Sequence, residues 1–265
     1  MITLACTNQK GGTGKTTTAI NLAAGMARKG VSVLLIDLDP QGNSTNGLGV
    51  ERESIKHTIG DVLDNIVPIQ DAILKTKIDG LDVVPSLLDV ETVEQKMLLV
   101  SFREGLLRKA MTDSTMQGYD YCIIDCKPTL GVLTVNAIFA GDYFIVPCSV
   151  GRYALDGVSR LMKTIITVKG DHYEMDKNVK ILLTNYDMRN KVTNEWAFAE
   201  LEPYNHILLQ TRIRKNEAIN QSQIAAEPIY SYDINSLGAA DYAALTEEIM
   251  NLFPIINHKQ SAGGK

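Results

Sequence analysis

The sequence predicts an α/β fold: one doubly wound, mostly parallel sheet with helices on both faces. Two observations predict it. Strand-length runs such as VSVLLID and YDYCIID are almost continuously apolar, as expected where helices cover both faces of a parallel sheet. Between such runs lie longer stretches whose apolar residues recur at intervals of three and four, the period of a helix. No linker, repeat or low-complexity tract divides the chain, so residues 1–257 read as one domain and 258–265, HKQSAGGK, as a flexible tail.

Taken in order, strands are expected near 2–7, 31–37, 81–85, 119–125, 142–148 and 178–184, with a weaker one near 205–210. Three helical patterns stand out. They are Val90, Val93, Met97 and Val100; then Leu155, Val158, Leu161 and Ile165; and near the C-terminus Tyr242, Leu245, Ile249 and Leu252.

Composition narrows the class. Of 265 residues, 45% are apolar and 22% charged, the balance of an ordinary globular protein. No run approaches the roughly 18 apolar residues of a membrane span, and MITLACTNQK lacks the basic and apolar regions of a secretory signal. Four cysteines, Cys6, Cys122, Cys126 and Cys148, fit reduced, packed thiols and a cytoplasmic setting. A net charge of −5 argues against coating nucleic acid through overall charge, while leaving room for a local basic patch.

The first strand runs into Gln9-Lys10-Gly11-Gly12-Thr13-Gly14-Lys15-Thr16-Thr17, with a helix starting near Lys15. A strand, a glycine-rich turn and a helix N-terminus make a phosphate cradle, because glycines let backbone N–H groups point inward and the helix dipole favours an anion. Residues 10–17 are therefore the candidate nucleotide contacts. Lys15 reaches for the β- and γ-phosphates, and the Thr16 hydroxyl is a ligand for Mg²⁺. In the pattern G-x-x-x-x-G-K-[ST] the first glycine falls on Gln9, and a lysine precedes a glycine pair instead. The loop thus carries two lysines, Lys10 and Lys15.

Here the sequence resembles the ParA/MinD family of deviant Walker-A ATPases, whose P-loop reads K-G-G-x-G-K-[ST]-[ST]. Three further blocks fall in the family's order, so the resemblance covers most of the chain. It implies a P-loop NTPase of the deviant type, with ATP and Mg²⁺ as cofactors. It also implies that Lys10 crosses a nucleotide-sandwich homodimer to touch the partner's phosphates, a cation supplied in trans. The second block is Leu34-Leu35-Ile36-Asp37-Leu38-Asp39-Pro40-Gln41-Gly42-Asn43, an apolar strand ending in carboxylates at the crevice where such sheets bind ligands. Asp39 matches the family aspartate that orients the attacking water, and Asp37 is expected deeper, in the hydrogen-bond shell around the magnesium. By itself a strand-ending Asp is often only a turn former.

The third block, Tyr121-Cys122-Ile123-Ile124-Asp125, resembles the Walker-B strand, whose Asp holds Mg²⁺. The family continues D-x-P-P-[SA]-L-G, whereas this chain has Asp125-Cys126-Lys127-Pro128-Thr129-Leu130-Gly131. Lys127 therefore replaces a proline, as a cation near the nucleotide or dimer seam or as an exposed loop lysine. Cys122 and Cys126 lie some 13 Å apart along an extended chain, without a second cysteine pair or a histidine cluster, and read as packing residues.

The fourth block, Leu182-Leu183-Thr184-Asn185-Tyr186-Asp187-Met188-Arg189, precedes Thr211-Arg212-Ile213-Arg214-Lys215-Asn216. By resemblance to the ParA branch, Asn185 is the candidate adenine contact, and Arg189, Arg214 and Lys215 are candidate DNA-phosphate contacts. The leading expectation is a short, Soj-like partition ATPase, since the chain starts at its first strand without the helix-turn-helix extension of the long branch. Its dimer would bind DNA nonspecifically on the nucleoid of a prokaryote, and a ParB-like partner would stimulate slow hydrolysis. The cargo (chromosome, plasmid or protein complex) stays open. A MinD-like membrane-cycling regulator normally ends in a basic amphipathic helix, which Asn251–His258 does not resemble, so no stable membrane association is expected. An iron–sulfur reductase needs two cysteines per subunit at a dimer axis, and none lies between Cys6 and Cys122.

Overall fold

The computed structural model describes residues 1–150 and 154–255, the side chains of 154–156 apart. The expected tail at 258–265 and the Leu155 side chain lie outside the described residues. Eight strands form one sheet: β1 (Ile2–Cys6), β2 (Val33–Asp37), β3 (Leu74–Lys75), β4 (Leu81–Val84), β5 (Tyr121–Asp125), β6 (Tyr143–Ser149), β7 (Val179–Tyr186) and β8 (Leu208–Arg214), in the order β3-β4-β2-β5-β1-β6-β7-β8. Every neighbouring pair is parallel except β3–β4, which is antiparallel. The helices that matter below are α1 (Lys15–Arg28), the short α2 (Asn43–Gly47), α3 (Asp89–Met97), α4 (Val132–Ala140), α5 (Ala154–Lys169), α6 (Lys191–Leu201), α7 (Glu217–Ile224) and α8 (Leu237–Leu252).

The continuous apolar runs have the expected cause. Along β2, Val33 and Leu35 enter one core while Leu34 and Ile36 enter the other, and β5 divides the same way, Tyr121 and Ile123 against Cys122 and Ile124. Alternate side chains point to opposite faces of a strand, so a strand buried on both faces needs apolar residues throughout. α1 and α8 close one face, and α4 and α5 contribute Leu133, Ala137, Val158, Leu161 and Ile165 to the other. All the strands expected from the sequence are present, with two differences. The last strand begins at Leu208 rather than near 205, because Glu202–Ile207, containing Pro203, is wound as a 3₁₀ turn. β3, two residues long, is too short to show a period. In the helices, α3 ends at Met97, which leaves Val100 in a turn at 40% exposure instead of on its apolar face.

The sheet's ends are closed in two ways. On the β8 side, α8 turns carboxylates onto the edge: Glu248 accepts from the backbone N–H of Gln210 (2.7 Å) and Thr211 (2.9 Å), and Asp241 from that of Arg214 (2.9 Å). On the other side β3 is very short and carries the exposed Lys75, paired with Asp82 at 2.8 Å.

The end of α8 is fixed to the centre of the sheet. The buried Tyr121 hydroxyl donates to the Phe253 carbonyl at 2.8 Å, and the Phe253 ring stacks on Tyr143 at 4.0 Å between centroids. Tyr121→Phe removes the donor and leaves that carbonyl without it, so an expected loss of about 1–2 kcal/mol of stability is checked by urea unfolding.

Candidate nucleotide site

The loop between β1 and α1 is held from behind and open in front. Asn8 donates to the Pro147 carbonyl at 2.7 Å and accepts from the Lys10 N–H at 3.1 Å, while the Thr184 hydroxyl donates to the Thr13 carbonyl at 2.7 Å. These bonds anchor the loop to β6 and β7. Gly12 and Gly14 take φ values of +72° and +85°, the left-handed region that side chains avoid. α1 starts at Gly14 with no side-chain cap and no acidic residue in its first turn, so its N-terminal N–H groups are left for an anion. Lys15 is 6% exposed and folds back so that its Nζ donates to the Lys10 carbonyl at 3.0 Å. Burial pushes the Lys15 ammonium down, and Asp125, first among its acidic neighbours, opposes this.

Opposite the loop, register places Asp37 of β2 directly beside Asp125 of β5, and both are fully buried. Burial pushes each carboxyl up. For Asp37 the facing Asp125 adds to this. For Asp125 the hydrogen bond from Ser44, the nearby Thr16 hydroxyl and the charge of Lys15 pull the other way. Asp37 Oδ1 accepts from the Asp39 N–H at 3.1 Å, and its Oδ2 from the N–H and hydroxyl of Thr45, each at 2.8 Å. Those three bonds tie Asp37, beside Asp125, to the loop that follows β2. Asp39 lies at the crevice with 9% exposure, its Oδ1 accepting from the Gln41 N–H at 3.0 Å. Asp125 accepts from the Ser44 hydroxyl through Oδ2 at 2.7 Å, whereas its buried Oδ1 has no hydrogen-bond partner. A buried carboxylate oxygen left free beside a threonine and a lysine suits a hydrated divalent cation.

A cleft of about 260 Å³ continues from the loop, lined by Gly12, Gly14, Thr17, Asn185, Arg214 and Lys215 among others. Asn185 is exposed there in the left-handed conformation, φ +52°. The three basic residues expected on a DNA surface separate. Arg214 forks onto Asp241, with Nη2 to Oδ1 at 2.6 Å and Nε to both oxygens at 3.0 Å, so its charge is already neutralised. Lys215 shares the cleft with Asn185. Arg189 is 86% exposed and bonds Asp187 at 2.8 Å, holding that carboxyl down to about 2. Sequence reasoning missed Arg212, whose guanidinium stacks over Phe198 at 4.5 Å and Tyr186 at 5.1 Å. It sat in the same basic run as Arg214, but nothing in the sequence showed that Arg212 meets Phe198 of α6 while Arg214 meets Asp241 of α8. Lys127 is neither an exposed loop lysine nor directed at the nucleotide loop. It pairs with Glu94 of α3, and both side chains are largely buried. All four cysteines are buried and none forms a disulfide, and among the described residues no group of histidine, cysteine and acidic side chains forms a metal cluster.

Comparison with known proteins agrees with this layout. Residues 1–181 match the family described as an AAA domain. The chain is 37% identical to the sporulation initiation inhibitor protein Soj of Bacillus subtilis, over 93% of this chain and 97% of Soj. It is 39% identical to the chromosome partitioning protein ParA of Caulobacter vibrioides, over 94% and 93%. The chain belongs to the ParA/MinD family of ATPases. Its fold is that of the family's solved members as well. A structure of cobyrinic acid a,c-diamide synthase from Mycobacterium smegmatis, with bound ATP analog and magnesium, superposes with a TM-score of 0.78 at 29% identity, covering 95% of each chain. Within the family this chain keeps the two-lysine loop and departs from it at Lys127, where an ion pair stands in the place of a proline.

The carboxylate pair has a pH signature. Both folded-state values lie above the ordinary value of about 4, so the folded protein holds protons that the unfolded chain has released. Stability is then greatest at low pH and falls as pH rises through the raised values. Thermal melts of the ligand-free protein from about pH 5 to 8 are expected to decline, and Asp37→Asn to flatten the decline.

Proposed function

We propose that this ParA-family chain is a partition ATPase that binds ATP with Mg²⁺, dimerises around the nucleotide, and binds DNA nonspecifically until a ParB-like partner stimulates hydrolysis. The observation that carries this reading is the division of labour between the two loop lysines. Lys15 is buried and turned inward, whereas Lys10 is tied into the loop through its backbone N–H and carbonyl, and among the described residues its ammonium makes no ion pair, which leaves it for a partner's phosphates. Residues Gly11 to Thr17 form the phosphate cradle, and Asn185 borders the adjoining cleft as the base contact.

Thr16 and Asp125 are the residues that would hold Mg²⁺, which when bound neutralises charge on the phosphate oxygens. Asp39, fixed through the Gln41 N–H and only slightly exposed, orients the attacking water. Lys15 and, in trans, Lys10 stabilise charge that develops on the transferred phosphoryl group. The reaction has little covalent work for the protein, so rate depends on how well these groups are pre-positioned.

For DNA, Arg214 is paired with Asp241 and half withdrawn, whereas Arg189, paired with Asp187, and Lys215 at the cleft are exposed. Two copies in a dimer double the contacts on one surface, so a chain of net charge −5 gains DNA affinity on dimerisation. The proposed setting is the nucleoid of a prokaryotic cytoplasm. Among the described residues no helix is long and apolar enough to cross a membrane.

Lys15→Ala is expected to abolish binding of a fluorescent ATP analogue. Lys10→Ala is expected to keep monomer binding and lose the ATP-dependent dimer, as read by sedimentation. ATP-dependent DNA binding in gel shifts is expected to weaken by roughly −0.9 in log–log salt slope per phosphate neutralised. Arg189→Glu should weaken it on every sequence while leaving dimerisation intact. A wild-type protein that ignores DNA and pellets with anionic vesicles would instead place the chain on the membrane-cycling branch.

A further inference from the structure

We infer that Ser44 is a positioning residue for the metal-holding carboxylate, orienting Asp125 so that Oδ1 alone is presented to Mg²⁺ and its water. The inference rests on the Mg²⁺-nucleotide reading above and adds to it a residue that neither the phosphate loop nor the Walker-B strand contains.

Ser44 lies in the first turn of α2, fully buried like Asp125, and its hydroxyl donates to Asp125 Oδ2 at 2.7 Å. The next residue serves the neighbouring strand: Thr45 binds Asp37 through its N–H and hydroxyl, and its hydroxyl oxygen accepts from the Ser86 N–H at 3.0 Å. Successive residues of one helical turn therefore grip the ends of β5 and β2, the two strands that carry the paired carboxylates. The turn fits closely. Gly42, at φ +65°, passes so near the end of β4 that a Cβ there would stand 2.6 Å from the Ser86 carbonyl oxygen.

A carboxylate free to rotate about its Cβ–Cγ bond offers either oxygen to a cation. A hydrogen bond to one oxygen fixes the plane and designates the other. Were Ser44 only satisfying a buried acid, the partnerless Oδ1 would remain a standing penalty, whereas a hydrated cation removes it. On the Thr16 side there is open space beside α2, a cavity of about 280 Å³ lined by Thr16, Thr17, Asn43 and Asn46 among others, which Asp125 itself does not border. Segment 39–45 also links two roles. Asp39 stands at its start, and the Gly42 N–H donates to the Asp39 carbonyl at 2.9 Å, so the hold on Ser44 fixes the water-orienting loop relative to the metal carboxylate.

Outer partners of metal ligands change metal affinity by about 10–100-fold when removed. The test is a Mg²⁺ titration of fluorescent ATP-analogue binding, with a parallel measurement in EDTA and a thermal melt without ligand. Ser44→Ala is expected to raise the Mg²⁺ half-saturation about tenfold or more, with EDTA binding and melting close to wild type. Ser44→Cys, near in size but a weaker donor, is expected to give a smaller rise, and it decides the matter if the alanine variant does not fold. An unchanged Mg²⁺ half-saturation in a folded variant overturns the inference. An equal loss of nucleotide with and without Mg²⁺ also overturns it, since that marks a structural role only. Absence of Mg²⁺-dependent nucleotide binding in the wild type is a different result, which overturns the nucleotide reading itself and this inference with it.

Discussion

Two carboxylates buried side by side at the ends of β2 and β5 are the least tolerable feature of the sheet, and much of the surrounding structure exists to hold them. Like charges in a low-dielectric interior repel and lose hydration, so each must find donors or counter-charge. Asp37 is supplied by backbone and hydroxyl donors from the loop that follows its own strand. Asp125 is supplied by Ser44, the approach of Thr16 and the charge of Lys15. Lys15 in turn is buried because the loop that carries it is anchored to β6 and β7. The site is thus over-determined by the sheet's central strands, in keeping with a family in which phosphate chemistry depends on placement.

The sheet was legible in the sequence because burial on both faces writes itself as unbroken apolar runs, and each central strand was recognised that way. Elements whose identity depends on tertiary partners were not. β3 exists only because β4 offers an edge. The segment before β8 looked extended by composition and is a 3₁₀ turn in the structure. The α3 pattern overran its helix at Val100, since spacing alone does not show where the turn that ends it begins.

The phosphate loop was equally legible, because glycines, lysines and a following helix leave few other readings. The charged residues were harder. Sequence supplies a charge but not the residue that meets it: Arg214 looked available for phosphate until the fold brought Asp241, 27 positions along, against it. Lys127 looked like a loop cation until α3 presented Glu94. Ser44 carried no signal at all, being one small polar residue in a turn, and its significance comes entirely from the strand end it faces.

The guarded edges of the sheet bear on how molecules of this kind gather. The outer amides of Gln210, Thr211 and Arg214 are already taken by α8, and the opposite margin is a two-residue strand beside a lysine. Neither margin offers a backbone template on which another chain could lay a strand. Contacts between neighbouring copies are therefore left to side-chain surfaces rather than to added strands.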